Sequence, residues 1–193
     1  MATRLSVITT RTGDQGSTGL GDGSRVPKDA PRVAALGDVD ELNSAIGLLR
    51  TETLPDGMDA LLAQVQNDLF DLGAELCIPG HTALEERHVV FLDEALARHN
   101  ADLGKLQEFV LPGGTRAAAL AHMARCICRR AERSVVALDR AEAIEPQAGA
   151  RIQAPVKQYL NRLSDLCFVL ARVINKASGR GDVLWSREPA VPR

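Results

Sequence analysis

Residues 114–138 read GTRAAALAHMARCICRRAERSVVAL. Leu120, Ala124, Ile127, Ala131, Val135 and Leu138 recur at alternating three- and four-residue intervals, the mark of a helix that buries one stripe. At about 100° per residue, Arg125, Arg129, Glu132 and Arg133 fall on the opposite side. One carboxylate therefore stands among three guanidiniums on a single helix surface. Arg presents a planar fork of donors that stays charged, which suits it to phosphate oxygens. The plainer reading of the same face is solvated surface knitted by i,i+3 and i,i+4 ion pairs, each worth a few tenths of a kcal/mol. The helix alone supports both.

The rest of the chain narrows the choice. With 193 residues it is long enough for one large domain with a proper core. Hydrophobic residues make up 45% and charged residues 25%, as in ordinary soluble globular proteins. Aromatics are only 3%, so the core must be built from Leu, Ala, Val and Ile, which favours helix-on-helix packing. A net charge of -2 gives no electrostatic case for wrapping nucleic acid or lying on a membrane. No apolar run approaches the length of a membrane span, and the N-terminus lacks the apolar region of a secretion signal. A cytoplasmic, reducing setting is the expectation. Cys77, Cys126, Cys128 and Cys167 are expected to be reduced and buried, and Cys126 and Cys128, on different sides of one helix, cannot clamp a metal as a pair.

In chain order, Ser6 to Lys28 (SVITTRTGDQGSTGLGDGSRVPK) is too rich in Gly, Ser, Thr and Asp to be a helix or a core strand. A flexible tail is one reading. The other is an anion cradle: Gly13, Gly16 and Gly19 let backbone N–H groups turn inward, Thr10, Thr12 and Thr18 add hydroxyls, and Lys28 adds a point charge. Neither a Walker A triplet nor a strand–GxGxxG–helix unit is present.

Helical periodicity starts after Pro31. Val33, Leu36, Val39, Leu42, Asn43, Ile46 and Leu49 mark a helix to about Thr51, closed by Pro55, Asp56 and Gly57. A second helix runs from Met58 to about Cys77, and a third from His88 to about Leu103. Phe109, Val110 and Leu111 form a short apolar piece before the Pro112-Gly113-Gly114 turn into the arginine-bearing helix. Residues 142–154 read as a polar connection, and a last helix spans Pro155 to Ala177. The expected architecture is all-α: a five-helix, mostly antiparallel bundle over 31–178, with a glycine-rich N-terminal loop over 1–30 and an irregular tail over 179–193, together one domain spanning 1–193.

Three separated stretches, TRTGDQGSTGL at 10–20, CRRAER at 128–133 and YLNRLSDLCF at 159–168, together resemble the PduO-type ATP:cob(I)alamin adenosyltransferases, or corrinoid adenosyltransferases. SRVPKD at 24–29, DVDELNSAIG at 38–47 and FVLPGG at 109–114 extend the resemblance over nearly the whole chain in the family's order. The connection from Arg140 to Pro155 is longer than in many members.

The resemblance implies a homotrimer with active sites at subunit interfaces, where the 5′-deoxyadenosyl group of ATP passes to reduced cobalamin, leaving triphosphate. It implies ATP as co-substrate, Mg²⁺ carried by the phosphates with no protein metal site, and cobalamin as substrate. Thr10, Arg11, Thr12, Gly13, Thr18, Gly19 and Lys28 would hold ATP, joined by Arg129, Arg130, Ala131, Glu132, Arg133 and Asn161. Asp40 and Arg125 resemble a pair that bridges the subunit boundary. Phe109 resembles the aromatic residue that closes on the lower face of cobalamin, so that Arg129, Phe109, Arg125 and Asp40 form the catalytic set. A flavin-dependent reductase and an adenosylcobalamin-dependent enzyme are the implied partners, with no nucleic acid and no membrane.

Two rivals remain at this level. A regulatory ATP sensor or cofactor-delivery protein would share the nucleotide residues without catalysis. A di-iron bundle would need paired Glu-x-x-His motifs, and only Glu85 to His88 has that spacing. His81, His88, His99 and His122 are all expected to be structural or surface residues.

Overall fold

The computed structural model describes residues 9–144 and 151–187; Ser6 to Ile8, the middle of the 142–154 connection, Pro189 and Pro192 lie outside them. Pro31, preset for the first helical turn, opens α1 (Pro31–Arg50) after an extended Ala30. The next helix, α2 (Met58–Cys77), has the bounds read from its periodicity and is entered through Gly57 at a left-handed φ of 76°. A reciprocal capping box starts α3 (Glu86–Asn100): the Glu85 side chain accepts from the His88 backbone, and the Glu85 N–H donates to His88 Nδ1 at 2.9 Å. The Glu-x-x-His spacing is therefore a helix cap, and its two side chains serve the backbone.

The arginine-bearing helix is α4 (Arg116–Ile144), and α5 (Ala154–Ala177) follows with Pro155 in its first turn. The sequence places the end of α4 near Arg140 and starts a polar connection at Glu142. The helix instead runs on to Ile144, because Glu142 continues the buried stripe of Val135 and Leu138 and has a partner there. Within the glycine-rich N-terminal loop, β1 (Ser17–Gly19) and β2 (Arg25–Pro27) pair antiparallel, with Thr18 opposite Val26. No residue of the two strands is fully buried, so neither is a core strand.

The central helix is α4. It packs between α1 and α5, while α2 lies on the far side of α1 and α3 on α5. Ala117, Ala118, Ala121, Ala124, Cys128 and Ala131 keep α4 slim where both neighbours press on it. Tyr159 of α5, fully buried, donates to Asp68 Oδ2 of α2 at 2.9 Å, and Gln64 donates to the other oxygen at 2.7 Å. A polar pair in the core is thereby satisfied.

One buried ion pair ties three helix ends together. Arg32 of α1 donates to Glu142 of α4 and, at 2.7 Å, to the Leu76 carbonyl near the end of α2. Both side chains are almost inaccessible to solvent. The N-terminal ribbon attaches beside this junction: the Gly21 N–H donates to the Cys77 carbonyl at 2.8 Å, and a Cβ on Gly21 would overlap Ile78.

The thiols divide into two classes. Cys128 and Cys167 are buried, as expected, but Cys77 is only partly so and Cys126 is exposed. Cys126 fails the expectation because a two-residue step on a helix carries it away from the buried face that holds Cys128. Desolvation pushes the Cys128 thiol well up and the Cys167 thiol up to about 12.

At pH 8 a water-soluble disulfide reagent should modify Cys126 in the native protein within minutes and reach Cys128 and Cys167 only after unfolding; fast native labelling of Cys167 in a Cys126→Ser background would contradict this assignment. Arg32→Ala should cost roughly 3–5 kcal/mol in urea unfolding, since it leaves Glu142 buried without its cation.

Candidate functional site

The outward side of α4 carries a chain of polar contacts that crosses three helices. Arg129, more than half exposed, stands 3.9 Å from Glu132 Oε2 one turn on. Arg133 Nη1 donates to the Arg129 carbonyl at 3.4 Å. Asn161 of α5 donates to Glu132 Oε1 at 3.3 Å, and its own Oδ1 accepts from Arg162 at 2.8 Å. Arg162 in turn pairs with Asp93 of α3 at 2.8 Å. Glu132 and Asn161 are thus oriented from both sides, while Arg129 keeps most of its donors toward solvent. Sequence reading missed Asp93, whose only signal is a polar position on the exposed side of α3.

Two other members of the expected nucleotide set are placed differently. The Arg130 guanidinium turns to α1, where it contacts Glu41 and, at 3.1 Å, Asp38. The hydrogen bonds it donates to Glu41 and then Asp38 hold its pKa above the usual value. Ser134 also donates to Asp38, so this acid serves as a hub between α1 and α4. Ala131 is fully buried in the core stripe and contributes spacing between Arg130 and Glu132.

The N-terminal loop gathers the rest. Thr10 and Thr12 share a hydroxyl hydrogen bond of 2.9 Å, and Arg11 between them takes a left-handed φ of 56°, rare for a side-chain-bearing residue. Arg25, not foreseen from the sequence, fastens the loop: its Nη2 donates to the Thr12 carbonyl at 2.7 Å, the Ser17 carbonyl at 3.1 Å and Ser17 Oγ at 2.7 Å. The Lys28 N–H donates to the Gly16 carbonyl at 2.9 Å. A Cβ on Gly13 would come within 3.1 Å of Lys28 Nζ, so the ammonium lies directly over the glycine. Thr18 and Gly19 belong to β1.

Further along α4, Arg125 lines a cavity of about 550 Å³ with Phe109, Phe168, Leu106, Gln107, Glu108 and Val110. Phe109 is 80% exposed, an unusual state for a large apolar side chain. Arg125 Nε is buried and finds no acceptor among the described residues. Beneath the cavity, His122 meets Phe168 edge-on, with ring centres 6.0 Å apart. Burial, and then the nearby Arg125, lower the His122 pKa, so the ring is neutral at pH 7. Asp40 projects from α1 into a groove of about 520 Å³ bordered by Val33, Leu36, Phe70 and Cys77.

Among the described residues no hydrogen bond or ion pair joins residues 10–28 to Arg129, Glu132, Arg133 or Asn161, and none joins Asp40 to Arg125. Each half is well ordered by its own contacts.

Comparison with known proteins gives a consistent result. The family model described as cobalamin adenosyltransferase matches residues 8–174. A cobalamin adenosyltransferase of Cupriavidus metallidurans is 60% identical over 189 residues, covering 97% of this chain and 98% of that relative. A corrinoid adenosyltransferase of Bacillus subtilis is 44% identical over 191 residues, covering 95% of this chain and 94% of that protein. Among solved structures, a phenylalanine-to-histidine variant of a PduO-type ATP:corrinoid adenosyltransferase from Lactobacillus reuteri, complexed with cobalamin and ATP, superposes with a TM-score of 0.84 at 33% identity, covering 94% of this chain and 97% of that one. No helix among the described residues is long and apolar enough to cross a membrane.

Proposed function

Since the chain belongs to the cobalamin adenosyltransferase family, we propose that its two ordered half-sites meet between copies and that the enzyme works as a homotrimer. The protein is a corrinoid adenosyltransferase: it transfers the 5′-deoxyadenosyl group of ATP to cobalamin. Co(I) of the reduced corrinoid attacks C5′, a Co–C bond forms, and the C5′–O bond breaks with its electron pair leaving on triphosphate. The nucleophile comes with the substrate, so no activated Ser, Cys or His is needed.

The observation that carries the two-copy reading is the separation of the halves. Among the described residues of one chain, the loop with Lys28 and the α4 face with Arg129 have no bond between them, and Arg125 keeps a buried Nε without a partner while Asp40 stands exposed on another helix. An Asp40 from a neighbouring copy supplies the acceptor that Arg125 lacks. Each active site would then take its loop, Thr10 to Lys28, from one copy and Arg129, Glu132, Arg133 and Asn161 from the next. Lys28 and the loop N–H groups hold the phosphates, and Arg129 stabilises the negative charge that grows on the leaving triphosphate. Mg²⁺ reaches the site on the phosphates and lowers their charge. Glu132, held by Asn161, steers Arg129; the reaction moves no proton that would call for a base. Arg130 sets the α1–α4 spacing that brings Asp40 to the boundary. Phe109 lies against the lower face of the corrin and keeps water and the axial base from cobalt. Holding both substrates together makes the encounter effectively unimolecular. A cytoplasmic setting, a flavin-dependent reductase and an adenosylcobalamin-dependent acceptor belong to the same proposal.

Purified protein mixed anaerobically with cob(I)alamin and MgATP should yield a light-sensitive alkylcobalamin spectrum that depends on both ATP and protein. ATP binding without that conversion would instead favour a sensor or delivery protein. Arg129→Ala should fold normally, its side chain being largely exposed, yet lose roughly 10²-fold or more in turnover; near-normal kinetics would remove Arg129 from the phosphate site. Asp40→Asn should lower trimer stability in sedimentation and weaken ATP binding together, and unchanged values of both would argue against the Asp40–Arg125 bridge.

A further inference from the structure

The segment that carries Phe109 has no regular structure of its own, yet it is held at both ends by one face of α5. Arg172 and Asn175 lie three residues apart, one above the other on that helix. Both are nearly buried, Arg172 at 7% and Asn175 at 4% exposure. Arg172 Nη2 donates to the Gly104 carbonyl at 2.8 Å, where the segment leaves α3. Asn175 takes the other end: its Nδ2 donates to the Gly113 carbonyl at 3.0 Å, and its Oδ1 accepts from the Thr115 N–H at 3.0 Å. The fit is close, since Gly114 between them has a left-handed φ of 104° and a Cβ there would overlap the Asn175 amide.

The same two residues secure the chain that follows α5. The Arg180 N–H donates to the Asn175 carbonyl at 2.8 Å, and Arg172 Nε pairs with Asp182 at 2.8 Å. Residues 183–185 then run antiparallel to the Phe109 segment: the Leu111 N–H donates to the Val183 carbonyl at 2.8 Å, and the Trp185 N–H to the Phe109 carbonyl at 2.7 Å. The first part of the tail, expected to be irregular, is thus paired. Phe109 itself remains 80% exposed, with its backbone fixed from both sides and its ring free.

We infer that Arg172 and Asn175 are positioning residues for corrinoid adenosylation, acting through Phe109 by fixing the backbone on which its ring stands. Ordinary loop stability does not require two buried polar side chains directed at two carbonyls and an amide of one short segment; a ring that must meet a flat substrate at a set height does. The inference rests on the placement of the corrin against Phe109. Its two anchors are far from the phosphate half of the site, so their effect must fall on the corrinoid and spare ATP.

The test is a double-mutant cycle in the full chain, with cob(II)alamin, a chemical reductant and MgATP. Asn175→Ala and, separately, Arg172→Lys should each lower kcat/KM for the corrinoid, on the order of 10²-fold, while the KM for ATP stays at the parent value. In a Phe109→Ala background the same changes should cost no more than about twofold further, because the ring they position is gone. Full additivity would overturn the positioning role and leave that of Phe109 standing. A parallel rise in the KM for ATP would also overturn it, as the mark of general loosening. If Phe109→Ala alone proves silent, the corrin is not seated on that ring and the inference falls with that premise. Should Asn175→Ala fail to fold, Arg172→Lys, which keeps the charge but cannot reach both Gly104 and Asp182, decides the matter.

Discussion

The buried pair between Arg32 and Glu142 is the constraint on which the end of the molecule that carries the glycine-rich loop depends. An isolated ion in that position would be costly, and the pair is tolerable only because each charge has a partner and Arg32 also satisfies the Leu76 carbonyl. Three helix ends that lie far apart in the sequence are thereby set at fixed positions. The ribbon hangs from the next residue along, Cys77, so the placement of the glycine-rich loop inherits that geometry. One oxygen of Glu142 has no partner among the described residues, which leaves the junction polar and under demand for its cation.

A second order runs across the bundle. Asp93, Arg162, Asn161, Glu132 and Arg129 form a line of two ion pairs joined through one amide, from α3 to α4. None of these exposed or half-buried contacts adds much stability on its own. Their value is directional: each fixes the rotamer of the next, and the last member is an arginine with most of its donors unspent. Preorganised cations of this kind act on developing charge without rearranging during the reaction. The buried thiols of Cys128 and Cys167 behind them stay protonated and inert, in keeping with a nucleophile that arrives with the substrate.

Much of this was legible in the sequence. Apolar periodicity marks four of the five helices to within a turn, α2 most closely, because its stripe of leucines is unbroken and Gly57 and Pro79 punctuate it. The end of α4 was hidden because Glu142 looks like the start of a loop when its partner, 110 residues away, is unknown. Long-range pairing is the general reason for the misses. Arg25, Asp93, Arg172 and Asn175 are polar residues at unremarkable spacings; the roles of Arg25, Arg172 and Asn175 exist only once distant backbone carbonyls are brought to them, and that of Asp93 once Arg162 is. Cys126 was misjudged for the opposite reason: its neighbours in sequence are apolar, but the helix turns it outward. The arginine face was visible as a pattern, whereas its division between Arg130, committed to α1, and Arg129, open to solvent, needed the neighbouring helix.

The contact between Gly114 and Asn175 also bears on how this chain can change over time. The asparagine amide occupies the space where a side chain at 114 would begin, so position 114 cannot change while Asn175 stays. A larger residue at 114 requires a smaller one at 175, and a smaller residue at 175 releases two backbone groups that then need other partners. In a lineage the two sites should therefore be replaced as a linked pair, with the order of replacement constrained: position 175 must shrink first, and the loop must pass through a loosened intermediate before it can be fastened in another way.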